Sequence, residues 1–421
     1  MAACGRQIFE VDRKVSMTSA IFQPADILLP ADADIDMSRW SVIACDQFTS
    51  DQRYWERVRA FVGSAPSSLH LMLPEYYLGK CDEDAAAADI QKTMRAYLDE
   101  GLFRVYSHSF IYLERTLPNG SVRHGLIGQV DLEQYDYGAD SVSPIRATEG
   151  TVESRLPARV RVRRKAALEM PHIMLFFNNK SDSVMQRAKK LGCEKVYDFD
   201  LMLGGGHVVG HRISGDSADS LAAFIEDQTG VDELKYAVGD GNHSLAAARK
   251  LWLEKREFLD EAQRSSDPAR FALVELVNIH DPAITFEPIH RVLFHTDAAH
   301  FTDAARSALE DNTASRSITI LTADEKVCIP VKGDSVGAVI DHVETFCRNY
   351  LSEHGGEMDY IHGDQQTVDL ASGKDAAGIL LPIMDKEDLF DSVSRTGPFP
   401  KKSFSIGLGP DKRYYLECRR L

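Results

Sequence analysis

Long apolar runs are missing from this 421-residue sequence; residues 172–177 are typical of the longest, against the ~18–20 that a membrane-spanning helix needs. Paired cysteines are missing too. The seven cysteines, Cys4, Cys45, Cys81, Cys193, Cys328, Cys347 and Cys418, are odd in number, scattered and never spaced as CxxC. That pattern argues against a disulfide framework or a zinc site and fits reduced thiols. There is no basic excess: the formal net charge is −16. Duplex affinity rests on neutralising phosphates, so a general nucleic-acid binder is not expected. Arg6, Asp12, Arg13 and Lys14 precede no apolar segment, which speaks against a secretory leader, and the regular pattern after Met17 makes Met17 a candidate start. Internal repeats and low-complexity linkers are absent, as are a GxSxG elbow, a Walker loop, a dinucleotide fingerprint and a nucleophilic Cys–His arrangement. These exclusions leave a cytoplasmic globular protein of ordinary composition, long enough for roughly two to three domain-sized units.

Apolar periodicity gives mixed elements. Residues 21–45 read as strand, turn, strand, punctuated by Pro24 and Pro30. Thr49 or Ser50 is placed to cap a helix carrying Tyr54, Trp55, Val58 and Phe61, and 82–98 reads as a second helix ended by Gly101. Residues 102–117 and 121–132 read as a hairpin about Pro118-Asn119-Gly120. Over 158–165, Val160 and Val162 alternate with Arg159, Arg161 and Arg163, which predicts a strand with one basic face. A buried strand is expected at 173–177, then a helix from Ser181 or Ser183. Strands at 196–203 and 207–213 meet at Gly204-Gly205-Gly206-His207, which reads as a bulge between them in preference to a flexible loop closing over a ligand, and a helix at 218–228 closes at Gly230. The helix after Asp240 is expected to run to about Arg264, ahead of a strand at 271–278. Beyond His280-Asp281-Pro282, short strands and helices intermix through 298–309, 318–321, 336–350, 386–394, 403–406 and 414–418. The strict βαβ rhythm of a doubly wound sheet is lacking, so the class is α+β, a mixed α/β chain. The softest boundary, at Asp281-Pro282, separates a tail at 1–18 and a core at 19–280 from a C-terminal α/β region at 281–421 packed on that core.

The most chemical stretch is Tyr236-Ala237-Val238-Gly239-Asp240-Gly241-Asn242-His243-Ser244, a β-prone run entering an alanine-rich helix. Unpaired amides at a helix start, at a glycine-lined mouth, bind phosphates and carboxylates. Gly239 and Gly241 permit a tight turn and close backbone approach. Asn242 or Ser244 can cap the helix, His243 can donate to an anion or shuttle a proton, and Asp240 can hold magnesium or act as a base. The plainer reading is a capped strand-to-helix turn. A second candidate is Ser143-Pro144-Ile145-Arg146-Ala147-Thr148-Glu149-Gly150-Thr151, where Arg146 and Thr148 suit a phosphate and Glu149 suits a base or a metal. Downstream, Arg155, Arg159, Arg161, Arg163, Arg164 and Lys165 read as a solvated basic face. His207 and His211 lack the helix that a zincin motif requires, and His290-Arg291 alone reads as a surface cation pair.

The turn at 240–244, the 144–151 segment, and Val277-Asn278-Ile279-His280-Asp281-Pro282 leading to Pro288-Ile289-His290-Arg291 stand in an order that resembles the domain-of-unknown-function 1015 family. The resemblance runs over nearly the whole chain from about Ser19. Three further stretches resemble one branch of that family: Trp40-Ser41-Val42-Ile43-Ala44-Cys45-Asp46-Gln47, the run from Tyr197 to His207, and Arg413-Tyr414-Tyr415-Leu416-Glu417-Cys418. The family's usual central motif reads Asp-Gly-His-His-Arg and is similar to the phosphate-binding turn of the ParB/sulfiredoxin-like fold. That fold's members include nucleotide hydrolases, ATP-using sulfiredoxins and free-serine kinases. Asp240, Gly241 and His243 match the motif, Asn242 replaces its first histidine and Ser244 its arginine, so Arg146 or Arg291 would supply the missing charge.

The resemblance implies a nucleotide (ATP or ADP) with magnesium, and a phosphotransferase acting on a small hydroxyl-bearing metabolite such as serine. In that scheme the 240–244 turn binds phosphates, His243 stabilises the transferring group, and Glu149 or Asp240 activates the hydroxyl. The alternatives are a non-catalytic nucleotide or metabolite sensor, and a ParB-like nucleic-acid partner, which the charge disfavours. No membrane partner is expected, and the sequence does not set the metal or the oligomeric state.

Overall fold

The strands Phe103–Thr116 and Val122–Asp131 meet at a tight turn in which Gly120 holds φ at +86° and the Leu117 amide donates to the Ser121 carbonyl at 2.8 Å. Side chains alternate between two faces along a strand. Accordingly Phe110 and Tyr112 enter one apolar core, while Ile111 and Leu113 enter another on the opposite side. This computed structural model describes residues 20–421 except 32–33, 50, 152–155, 171 and 230–233. The 1–18 tail, Ser50, Arg155 and Gly230 named above therefore lie outside the described residues.

The hairpin is part of an eleven-stranded sheet. On one side it continues through His207–Ser214 to Glu194–Asp200. On the other it continues through Phe271–Asn278, Met174–Phe177, Tyr236–Asp240 and Ile145–Ala147 to Tyr135–Asp136. Phe271–Asn278 pairs parallel with Met174–Phe177, as Tyr236–Asp240 does with Ile145–Ala147, while Tyr236–Asp240 lies antiparallel to Met174–Phe177. Met174–Phe177 is wholly buried, as a strand covered on both faces should be. A six-stranded antiparallel sheet follows, in the order Lys326–Pro330, Ser317–Leu321, Ala376–Leu380, Phe286–Phe294, Glu357–His362, with Phe404–Ile406 paired to the start of Phe286–Phe294. Its core reaches the first sheet through Met174, Phe176, Ala237 and Val277. The chain then returns, Tyr414–Tyr415 pairing with Val42–Ile43 and Arg419–Arg420 with Leu168–Glu169. The fold is mixed α/β, and among the described residues no helix is long and apolar enough to cross a membrane.

Five local expectations change. Leu156–Arg163 is a helix, not a strand: Leu156 and Val160, four apart, are buried against Ala246 and Ala247. The arginines are not a solvated face either. Arg159 meets Glu75, Arg161 meets Glu83 and Asp84, Arg163 meets Glu169, and Arg164 meets Glu254. The helix Gln52–Val62 is capped by Asp51, whose carboxylate accepts from the Tyr54 amide, rather than by Thr49. The helix after Asp240 stops at Arg256, and a capping box between Asp260 and Gln263 starts a new one at Glu261–Ser266. Met202–Gly204 is a short 3-10 turn rather than a bulge.

Candidate functional site

The strand Tyr236–Asp240 ends where Gly241 takes φ +79° and the helix Asn242–Arg256 begins. A Cβ on Gly241 would lie 2.9 Å from the Ile173 Cα, and one on Gly239 would lie 2.6 Å from the Phe176 ring. Packing and backbone conformation thus demand both glycines, independent of any ligand. The Asp240 Oδ1 accepts from the Gly241 amide at 2.8 Å. Gly241 is the N-cap, and no side chain caps this helix, neither Asn242 nor Ser244. The helix therefore presents uncapped amides with the positive end of its dipole. Asn242 is buried, and its Oδ1 has no hydrogen-bond partner.

This helix start opens on a cleft of about 640 Å³ walled by residues 46–49 and Asp51, residues 148–149, residues 239–243, and the 401–406 segment with Lys412. Arg159, Lys401, Lys402 and Lys412 bring positive charge, while Asp46, Asp51, Glu75, Glu149 and Asp240 bring carboxylates. Lys412 Nζ lies 3.4 Å from Asp240 Oδ2. Arg159 lies 2.5 Å from Glu75 and 3.9 Å from Asp46. Glu149 Oε1 accepts from the Lys402 amide at 2.6 Å. Two non-glycine residues lining the cleft hold positive φ, Phe48 at +52° and Lys402 at +62°; such strain persists only where surroundings over-determine it. Phe48 stacks on Tyr54 at 3.9 Å, and Glu149 tethers Lys402. Desolvation, then the charges of Lys402, Lys412 and His290, lower the pKa of His362 at the same cleft.

Behind the helix start lies a smaller apolar cavity of about 120 Å³ that Ser244, Cys45 and His172 line. Burial pushes the Cys45 thiol up to about 12, so it stays protonated. His172 Nδ1 is 2.8 Å from the Tyr415 hydroxyl, and its Nε2 is 3.3 Å from Asp46 Oδ2. Burial raises the Asp46 pKa, but a protonated His172 imidazole, with Arg159, outweighs that effect and holds the carboxyl well below its usual range.

Of the residues singled out in the sequence, Thr148, Glu149, Gly239, Asp240, Gly241, Asn242 and His243 line one cleft. Thr148 is 1% exposed, and its hydroxyl donates to the Val238 carbonyl at 2.5 Å. Arg146 and Arg291 do not line the cleft. Arg146 is buried, its Nε donating to the Ser143 carbonyl at 2.9 Å. Arg291 is fully buried, 3.2 Å from Glu344 and 4.6 Å from the Tyr360 ring centroid, and it donates to the Lys402 carbonyl at 2.9 Å. It touches the cleft wall through the carbonyls of Lys402 and Ile289. Sequence reasoning missed Asp46, His172, His362, Lys401, Lys402 and Lys412. Asp46 lay inside a stretch quoted for resemblance and Arg159 inside the basic run, whereas the lysines carried no spacing signal.

A family model described as a protein of unknown function (DUF1015) matches residues 28–388. No curated protein matches the sequence significantly. Among solved structures, a free serine kinase in complex with AMP is 12% identical, covering 68% of this chain and 90% of its own, at a TM-score of 0.39. A conserved hypothetical protein from Pyrococcus furiosus is 11% identical, covering 68% and 92%, at 0.36. SbnI with a C-terminal truncation, from Staphylococcus aureus, is 10% identical, covering 67% and 82%, at 0.36. Likenesses this distant carry no argument about the chemistry of the cleft.

Proposed function

The chain belongs to the DUF1015 family, and from that premise we propose that it is a nucleotide-dependent phosphotransferase acting on a small hydroxyl-bearing metabolite, serine being the specific candidate. The observation that carries this reading is one cleft in which an uncapped helix start and Lys401, Lys402 and Lys412 face Asp46, Glu149 and Asp240. Phosphoryl transfer needs little else from a protein than positioning and charge neutralisation. The amides of the 241–243 turn and the lysines neutralise phosphate oxygens, and His243 donates to the transferring group. Asp240, engaged by Lys412 and the Gly241 amide, suits charge holding rather than proton transfer. Glu149, oriented through its bond to Lys402, is the base that activates the hydroxyl. Magnesium, which the nucleotide reading implies, would neutralise phosphate charge, and the carboxylates of Asp46 and Asp240 are oxygen donors of the kind it takes. The ParB/sulfiredoxin-like relationship belongs to the same proposal.

A sensor without turnover is the second reading. Two observations favour it: Ser244 stands where the related motif has arginine, and neither Arg146 nor Arg291 reaches the cleft. Thermal shifts with ATP, ADP, CTP and GTP, followed by phosphate-transfer assays with serine and related hydroxy acids, decide between them. Binding to the folded state raises the melting temperature by mass action. The kinase reading expects Glu149→Gln to abolish turnover while nucleotide affinity stays within about threefold. A nucleotide shift without transfer to any hydroxy acid supports the sensor, and the absence of any nucleotide shift sinks both.

A further inference from the structure

Asp46, from the loop after Val42–Ile43, His172, just before Met174–Phe177, and Asp240, at the end of Tyr236–Asp240, converge from three parts of the chain. One donor atom of each lies within 4.8 Å of the others. Donors around a single divalent ion at ~2.0–2.2 Å stand at most about 4.4 Å apart, so small side-chain rotations suffice to close the set.

The imidazole is the independent observation. His172 is 1% exposed, and its Nε2 has no hydrogen-bond partner. Its other nitrogen, Nδ1, sits 2.8 Å from the Tyr415 hydroxyl oxygen, which also accepts from the Cys45 amide at 3.4 Å. An oxygen that already accepts from an amide can accept from Nδ1–H as well. That tautomer turns the lone pair of Nε2 toward Asp46 Oδ2, 3.3 Å away. In that tautomer the lone pair faces a carboxylate oxygen, and a metal cation between them satisfies both; in the other tautomer a proton on Nε2 does so. Holding a ligating imidazole through its far nitrogen is the usual way a metal site fixes tautomer and ring orientation.

We propose that Asp46, His172 and Asp240 bind one divalent transition-metal ion. One imidazole with two carboxylates suits manganese, iron or zinc better than magnesium or calcium, which take oxygen alone. Tyr415 is the positioning residue. Asp46 and Asp240 also line the cleft, so phosphate oxygens entering it would complete the ion's coordination; this last step rests on the phosphotransfer reading, the metal site itself does not.

The test is titration of metal-stripped full-length protein with Mn²⁺ alone, followed by electron paramagnetic resonance. One Mn²⁺ per chain is expected, with a directly coordinated nitrogen visible in pulsed spectra of the unaltered protein, so that no His172 variant has to fold. Asp46→Asn and Asp240→Asn should each weaken binding at least about tenfold, and Tyr415→Phe about tenfold. No saturable Mn²⁺ binding up to millimolar concentration, bound Mn²⁺ without a coordinated nitrogen, or affinity unchanged in both aspartate variants would each overturn the proposal. Mn²⁺ bound in this way without phosphate transfer sinks the kinase and keeps the site. Transfer supported by magnesium in a protein that fails the Mn²⁺ titration does the reverse.

Discussion

Gly241 and Gly204 hold nearly the same backbone angle, φ +79° and +77°, in different surroundings. A Cβ on Gly204 meets nothing within 4 Å, whereas one on Gly241 runs into the Ile173 backbone. Gly204→Ala should therefore cost only the left-handed conformation, roughly 1–2 kcal/mol. Gly241→Ala adds a clash that no rotamer relieves and should cost about 3 kcal/mol or more. Denaturant midpoints of the two variants check this, and equal losses would mean that the turn has room to relax. His362 gives the second prediction at this scale. Its folded-state pKa lies below the ordinary ~6.5 because of desolvation and the charges of Lys402, Lys412 and His290. Protonation therefore favours the unfolded chain: the stability held by the neutral ring is intact above that ordinary value and is lost as pH falls through the lowered one. An anion in the cleft offsets the lysines and raises the His362 pKa, so anion binding takes up a proton and tightens on acidification. Sulfate, which does not titrate in this range, should bind more tightly at about pH 5.5 than at about pH 8. His362→Gln should flatten that slope; an unaltered slope would place the responsible group elsewhere.

Among the elements, the helix Leu156–Arg163 shows best what the sequence could and could not disclose. The strand Phe271–Asn278 was legible residue for residue, because a continuous apolar run is a local signal, and the bounds of Ala298–Leu309, though not its helical type, were legible too. The Val–Arg alternation at 159–163 is equally local but fits either element. Carboxylates distant in sequence, Glu75, Glu83 and Glu254, decide it, together with the nearby Glu169. The turn at 239–244 was visible because its signal is local too. The lysines facing it were not, since only the return of the C-terminal segment brings Lys412 beside Asp240. Arginine chemistry alone nominated Arg146 and Arg291, and burial, which no spacing reveals, commits both elsewhere. Docking of this helix rests on Glu169, 2% exposed, which pairs with Arg163 and Arg419 and accepts from the Leu273 amide at 2.9 Å. Glu169→Gln leaves two guanidinium groups facing a neutral amide and should cost about 3–5 kcal/mol near neutral pH. Burial raises the Glu169 pKa, but Arg163 and Arg419 more than offset it and the folded value is lowered. The stabilisation is thus complete above the unfolded value of about 4.3 and lost as pH falls through the folded one. The gap in melting temperature between wild type and Glu169→Gln should accordingly narrow in acid; a constant gap would assign the loss to packing.

For the whole molecule, residues 413–419 near the C-terminus are buried against the elements of the first sheet. Tyr414, Tyr415, Leu416 and Cys418 lie in the core that contains Trp40 and Trp55, and the Trp40 Nε1 donates to the Leu416 carbonyl at 2.9 Å. Leu28 and Cys418 exchange backbone hydrogen bonds of 2.8 and 3.0 Å. Arg413 is buried between Glu275 at 3.4 Å and Glu417 at 2.6 Å. The second sheet shares its core with Met174, Phe176 and Val277 of the first. A chain tied in both directions should unfold as one cooperative unit. Tryptophan fluorescence, which reports only the cores of the first sheet through Trp40, Trp55 and Trp252, should then share a urea midpoint with far-ultraviolet circular dichroism. Two separated transitions would show that the sheets are independent. The adjacent pair Lys412 and Arg413 separates scaffold from site. Arg413→Gln leaves Glu417 buried without its cation and Glu275 with Arg123 alone, and should lower stability by about 3–5 kcal/mol. Lys412→Gln removes a charge that faces the cleft, so it should weaken sulfate binding by roughly fivefold, about 1 kcal/mol, with little change in melting temperature. If Lys412→Gln instead destabilised the protein as much as Arg413→Gln while sparing sulfate, Lys412 would be a strut for Asp240, and the cleft's affinity for anions would have to come from Lys401, Lys402 and the helix start alone.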